Sequence, residues 1–185
     1  GSIRTEEENQ VQAMMARVHS AFPNAVFAVF PRHMHRLEAW QAHLESLQQR
    51  WVLRSNLRAT VKPGTIVLWD TFGELRDAYN MATTAFVGGS IAHLGGQNFL
   101  EPLACGVIPV IGPSWFNFHW VGEEIFQKGL VKRTLDWRSA SDQIIANLKD
   151  PVPHNMVRQQ ATDFAKCRNG GARQACQLIE HYLNQ

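Results

Sequence analysis

The chain has 185 residues, 45% of them hydrophobic, which is enough for one sizeable core and argues for a single domain over 1–185. Eighteen Lys and Arg against sixteen Asp and Glu leave a formal charge of +2 with no basic stripe, so no nucleic-acid partner is expected. Three cysteines are odd in number and lack metal spacing, which favours a reduced, cytoplasmic setting, and no apolar run approaches the ~20 residues that span a bilayer.

The first fifteen or so residues after Ser2 read as a helix, with Glu6, Glu7 and Glu8 as first-turn acids and Val11, Met14, Met15 and Val18 on a buried face. Pro23-Asn24 breaks it, and Ala25–Phe30 is an unbroken apolar run suited to a parallel strand covered on both faces. Pro31-Arg32-His33 follows. An amphipathic helix over about His35–Gln49 places Leu37, Trp40, Leu44 and Leu47 inward. Strands are expected at Trp51–Arg54 and Thr65–Trp69, and Asp70–Leu75 starts a helix running to about Ala82.

The stretch after that helix has the form of a βαβ unit. A strand at Ala85–Val87 runs into two glycine pairs, Gly88-Gly89 and Gly95-Gly96; Asn98 opens a helix that stops at Gly106, and Val107–Ile111 is the next strand. Glycines let a backbone approach a ligand closely, and amides at a helix start attract anions. Beyond Gly112-Pro113, a helix is expected over about Phe116–Lys128, closed by Gly129. A last strand at Leu130-Val131 and helices over Ser139–Leu148, Pro153–Cys167 and Gly171–Leu183 complete the reading. Short strands alternating with helices predict an α/β fold with a doubly wound parallel sheet, in which ligands bind at the C-terminal ends of strands. Such a sheet starts with a strand, whereas this chain starts with a loop and helix. That favours a piece of something longer, with Gly1-Ser2 either native or a cloning remnant.

The loops at those strand ends hold the candidate site. Asn98 and Glu101 fit a capping box, or a phosphate ligand and a ribose ligand. Arg32 is a surface cation or a two-pronged phosphate ligand. Phe72 fits either the core or a wall against a base, and Glu74 is a first-turn acid or part of the same pocket. His33, His35 and His93 lack ligand spacing, so no metal and no cofactor are expected. Nicotinamide, Walker and serine-hydrolase motifs do not occur.

Collected together, these loops resemble the C-terminal half of the 3-deoxy-D-manno-octulosonic acid (Kdo) transferases, which are GT-B glycosyltransferases. The resemblance rests on Gly1-Ser2-Ile3-Arg4 with Glu7-Glu8, Pro31-Arg32-His33, Asp70–Leu75, Phe86–Ser90, Gly95–Pro102, and Gly112-Pro113 with Asn117-Phe118, in order along the chain. Trp69, Phe72, Gln97, Phe99 and Ile3 depart from the family pattern.

The resemblance implies a Rossmann-like, donor-binding domain for CMP-Kdo. Pro31, Arg32, Phe72, Gly73, Glu74, Asn98, Phe99, Leu100 and Glu101 would contact CMP, and Ser2, Arg4, Gly95 and Gly96 would face phosphate or sugar. It also implies inverting transfer to a lipid A precursor at the cytoplasmic face of the bacterial inner membrane. The catalytic base, the membrane contact and the acceptor surface would lie in an N-terminal half, so this chain is expected to bind nucleotide, to remain in solution and to turn nothing over. The alternatives are a GT-B domain for a UDP- or GDP-linked sugar, or a non-catalytic nucleotide-binding module.

Overall fold

The computed structural model describes residues 1–47, 49–168, 179–180 and 182. Helix α1 (Glu8–Ala21) follows a 3-10 turn at Thr5–Glu7 and buries Val11, Met14 and Val18. Strand β1 (Phe27–Val29) leads through a 3-10 turn at Met34–Arg36 into α2 (Leu37–Ser46), which buries Trp40 and Leu44. Leu47, expected on that inner face, lies beyond the helix and is 42% exposed. Then come β2 (Trp51–Leu53), β3 (Ile66–Leu68), α3 (Leu75–Met81), β4 (Ala85–Phe86), α4 (Leu100–Ala104) and β5 (Pro109–Ile111).

The C-terminal part differs from the sequence reading in three places. The helix expected over Phe116–Lys128 is a 3-10 segment, Phe116–Val121, and a short α5 (Glu124–Gln127). Gly122 divides them at φ 82°, a conformation that no helix contains. The last strand, β6, is Lys132–Arg133, two residues later than expected, while Leu130 and Val131 are core. Helix α6 (Trp137–Lys149) starts before Ser139 because Asp136 caps it. Asp136 Oδ1 accepts from Ser139 N at 2.8 Å, and Ser139 Oγ accepts from Asp136 N at 3.0 Å. Helix α7 covers His154–Lys166. The expected helix over Gly171–Leu183 lies almost wholly outside the described residues.

All strand pairing is parallel, in two sheets ordered β1-β3-β2 and β4-β5-β6. Residues 1–3 join them edge to edge. On one side Ile3 N donates to Phe30 O at 3.0 Å and Arg32 N to Ile3 O at 2.7 Å. On the other, Gly88 N donates to Gly1 O at 2.9 Å and the Gly1 ammonium to Phe86 O at 2.5 Å.

Helices cover both faces, as the apolar runs demand. Val29, Ile66, Leu68, Phe86 and Val110 pack in one cluster with residues of α1, α2 and α6. Val87 and Ile111, pointing the other way, pack with residues of α4, α5 and α7. The chain order places the first crossing of the sheet between residues 1–3 and β4, where α3 carries the chain from one half to the other. In open α/β sheets a crevice opens at such a reversal, above the strand C-termini.

Candidate functional site

Arg32 follows β1, and Arg4 follows the central segment of residues 1–3. Arg32 is exposed, and its guanidinium has no hydrogen-bond or ion-pair partner among the described residues. Pro31 fixes its approach through a parallel bridge with Ile3. Arg4 lies just past the central segment. Its Nε is buried without a partner, and its Nη2 is 3.7 Å from Glu6 Oε1. Ser2 stands between Gly1 and Ile3 in the left-handed region at φ 55°, an uncommon conformation for a residue with a side chain.

The turn before α3 presents Phe72. Its ring is 83% exposed, an unusual place for an aromatic side chain unless something stacks on it. Gly73 allows the turn at φ 85°. Glu74 was expected to line the pocket, and the structure gives it a different role. Its carboxylate accepts from Arg54 (2.9 Å from Nε, 3.1 Å from Nη2), from Trp69 Nε1 at 2.8 Å and from Thr71 Oγ1 at 2.9 Å. The hydrogen bonds from Thr71 and Trp69, then the charge of Arg54, hold it below the usual carboxylate range. Three of these contacts fall on Oε2 and one on Oε1, so Glu74 anchors the turn that displays Phe72 and keeps acceptor capacity on Oε1.

Trp69 joins this anchor by stacking on Phe30 at 4.4 Å. Asp70 steadies the other side by accepting from Ser55 N at 2.8 Å and from Ser55 Oγ. Burial pushes the Asp70 carboxyl up, but the Ser55 bonds outweigh it and the net shift is down. Arg54, Thr71 and Trp69 were not singled out as site residues. Trp69 in place of the family's usual glycine was the one visible signal.

The glycine pairs behave differently from the simple anion cradle expected of them. Gly89 N donates to Glu7 Oε1 at 2.5 Å, Arg4 N to the same oxygen at 3.1 Å, and Ile91 N approaches Glu7 Oε2 at 3.4 Å. Glu7 has no exposed surface. Far from being a solvated first-turn acid, it is the anion that fills the first glycine turn. Glu8 is likewise buried, accepting from Arg36 and from Trp40 Nε1.

Gly95 and Gly96 were expected to face phosphate or sugar. Their amides donate instead to Ser114 Oγ at 2.9 Å and Gly89 O at 2.8 Å, so neither is free for a ligand. Both sit at positive φ, near 80°, and Asn117 packs where a Gly95 side chain would be. Asn117 N donates to Gly95 O at 3.1 Å and Nδ2 to Leu94 O at 3.2 Å. These glycines serve close packing.

The Asn98 and Phe99 amides donate to no acceptor among the described residues; Asn98 is exposed, whereas Phe99 is fully buried. Asn98 Oδ1 accepts from Leu100 N at 3.1 Å, and its Nδ2 donates to Glu101 Oε1 at 3.0 Å. The helix begins at Leu100 with Phe99 at its N-cap and no side-chain cap bond, so Asn98 and Glu101 do not form the expected capping box. Exposed Glu101 keeps its second oxygen free of described donors. Burial, then the charge of Glu101, pushes the Tyr79 hydroxyl of α3 up, which reflects how near α4's first turn lies to α3. Phe99 corrects the reading: the whole residue is buried, with its ring against Phe118 and Phe126. Leu100 is half-buried beside the same cluster.

No protein-family model matches the chain. Among curated proteins it is 30% identical over 167 residues to the 3-deoxy-D-manno-octulosonic acid transferase of Bordetella pertussis, covering 89% of this chain and 39% of that one. It is 32% identical over 147 residues to the same-named protein of Haemophilus influenzae, covering 77% of this chain and 34% of the other. The chain thus spans less than half the length of these relatives. Among solved structures it superposes on the C-terminal CMP-Kdo binding domain of WaaA from Acinetobacter baumannii with a TM-score of 0.77 and 29% identity, covering 89% of this chain and 86% of that one. The fold is that of a GT-B C-terminal domain, and the chain belongs with the C-terminal part of the 3-deoxy-D-manno-octulosonic acid transferase family.

Proposed function

We propose that the chain is the donor-binding domain of an inverting glycosyltransferase that moves Kdo from CMP-Kdo to a lipid A precursor. An N-terminal half of the whole protein, working at the cytoplasmic face of the inner membrane, would supply the base and the acceptor surface. The observation that carries this reading is the likeness, over 89% of the chain, to a domain described as binding CMP-Kdo. The open groups of the crevice fit that donor.

In the reaction an acceptor hydroxyl attacks the anomeric carbon of Kdo while that carbon's bond to the CMP phosphate oxygen breaks. The hydroxyl proton passes to the base, and the electron pair of the broken bond stays on the phosphate. Arg32, whose guanidinium has no partner among the described residues, would meet that growing charge together with the amide of exposed Asn98. No metal is required in this account.

Phe72 would stack on the cytosine, Gly73 giving the ring its position and Glu74 holding the turn. The free oxygen of Glu101 would accept from the ribose hydroxyls. Ser2 and Arg4 would lie toward the sugar carboxylate or phosphate. Alone, this chain would bind donor without transferring it.

Adding CMP to the 15N-labelled chain tests the assignment. Amide shifts should concentrate at Arg32, Gly73, Asn98 and Phe99. Their absence at millimolar CMP, or shifts confined to another surface, would remove the nucleotide reading.

A further inference from the structure

The C-terminal ends of β1, β3 and β2 stand side by side in that order. Arg32 follows β1, the Phe72 turn follows β3, and Arg54 follows β2 directly. A nucleotide with its phosphate at Arg32 and its base on Phe72 runs from β1 across β3. The edge of its base then points toward the end of β2, where Arg54 stands.

Arg54 is held there in a fixed pose. Its Nε lies 2.9 Å from Glu74 Oε2 and its Nη2 donates to Glu74 Oε1 at 3.1 Å, a two-pronged pair. The guanidinium also lies over the Trp69 ring, 5.6 Å from the centroid, and that ring stacks on Phe30. Both members of the pair stay within reach of a ligand, since their side chains are 34% and 32% exposed.

The two oxygens of Glu74 are used unequally. Oε2 takes Arg54 Nε, Trp69 Nε1 at 2.8 Å and Thr71 Oγ1 at 2.9 Å, whereas Oε1 takes Arg54 Nη2 alone. Oε1 therefore keeps a lone pair for another donor. Arg54 Nη1 has no partner among the described residues and is not closed off from solvent. The pair thus offers one acceptor and one donor on the same ion pair. The hydrogen bonds from Thr71 and Trp69, then the charge of Arg54, keep the acceptor a carboxylate by holding it below the usual range.

An acceptor beside a donor complements one pyrimidine and not the other. Cytosine carries an amino donor at C4 next to an acceptor at N3, while uracil carries a carbonyl acceptor at C4 next to an N–H. A carboxylate accepts from the first and repels the second.

We propose that Arg54 is a specificity-determining residue of the nucleotide site, reading the base edge together with Glu74. Glu74 Oε1 accepts from the 4-amino group of cytosine, Arg54 Nη1 donates to N3, and uracil meets like against like at both positions. Trp69 and Thr71 are positioning residues, because they hold Oε2 and leave Oε1 for the base. The inference rests on the nucleotide reading above.

Calorimetric titration of CMP and UMP into the chain, Arg54→Ala and Glu74→Gln tests it through the ratio of the two affinities. The parent should bind CMP at least about tenfold more tightly than UMP. Arg54→Ala should bring that ratio below about threefold. In Glu74→Gln the three donors now on Oε2 hold the amide oxygen, so the amide nitrogen takes the place of Oε1, and the ratio should fall to about one or invert. A merely structural role would weaken both nucleotides alike and leave the ratio as in the parent, and that result in either folded variant would overturn the inference. Should Arg54→Ala fail to fold, Glu74→Gln decides. A parent that binds CMP and UMP equally would overturn the base-reading pair and leave a nucleotide site standing, whereas a parent that binds neither would overturn both.

Discussion

Two turns on the same face of the sheet offer backbone amides at the start of a glycine-rich stretch, and they have opposite fates. At Gly88-Gly89 the amides converge on an oxygen of this protein's own Glu7, buried and supplied from the N-terminal turn. At Asn98 the residue is exposed and its amide has no acceptor among the described residues, its Oδ1 accepts from Leu100 N, and the Arg32 guanidinium after β1 likewise has no partner among the described residues. The first turn is a structural joint, and the second is the one proposed to meet a ligand. The difference comes from what fills each turn. Glycine content alone would rank the first at least as highly as the second.

Breaking the joint should have the largest effect. Glu7→Ala leaves the Gly89 and Arg4 amides buried without an acceptor, and an unfolding titration in urea should show a loss of about 3–5 kcal/mol. A loss below about 1 kcal/mol would mean that the turn closes without its internal anion.

Arg32→Ala probes the open turn. CMP affinity measured by calorimetry should fall roughly tenfold to a hundredfold, since charge-assisted hydrogen bonds contribute ~1.5–3 kcal/mol. Stability should stay within about 0.5 kcal/mol, because the side chain has no partner to lose. Phe72→Ala should weaken CMP about tenfold, the scale of one base stacked on an aromatic ring, and leave the urea midpoint unchanged for a ring that is 83% exposed.

The smallest effect is that of acid. Asp70, Glu74, Glu124 and Asp136 all have folded pKa values below their ordinary ones, so their contribution is present above about pH 4 and is lost as pH falls through the lower folded values. Unfolding free energy should therefore decline on acidification through this range. Asp136→Asn, which keeps an oxygen for Ser139 N and removes the titratable charge, should make that decline shallower.

Much of the architecture was legible because unbroken apolar runs such as Ala25–Phe30 and Val107–Ile111 have few other places to go than a doubly covered parallel strand. The loops at the strand ends were legible for the same reason. What stayed hidden depended on partners distant in sequence. Glu7 looked like an ordinary first-turn acid because its acceptor role is set 82 residues away at Gly89. Phe99 sat inside the motif of the site, yet Phe118 and Phe126 draw its ring into the core. Glu74 carried the right chemistry for a ligand, and Arg54, twenty residues earlier, binds its oxygens together with nearby Trp69. The break at Gly122 was visible as a glycine, but its positive φ was not.

The central claim is that the open turn, with Arg32 and Phe72, selects a cytidine monophosphate. Calorimetric titration of CMP, UMP and GMP into the chain and into its Arg32→Ala variant tests this most directly. The account predicts that CMP binds most tightly and that the variant loses most of that affinity. A chain that binds UMP or GMP as well as CMP, or a variant that binds CMP as well as the parent, would contradict it.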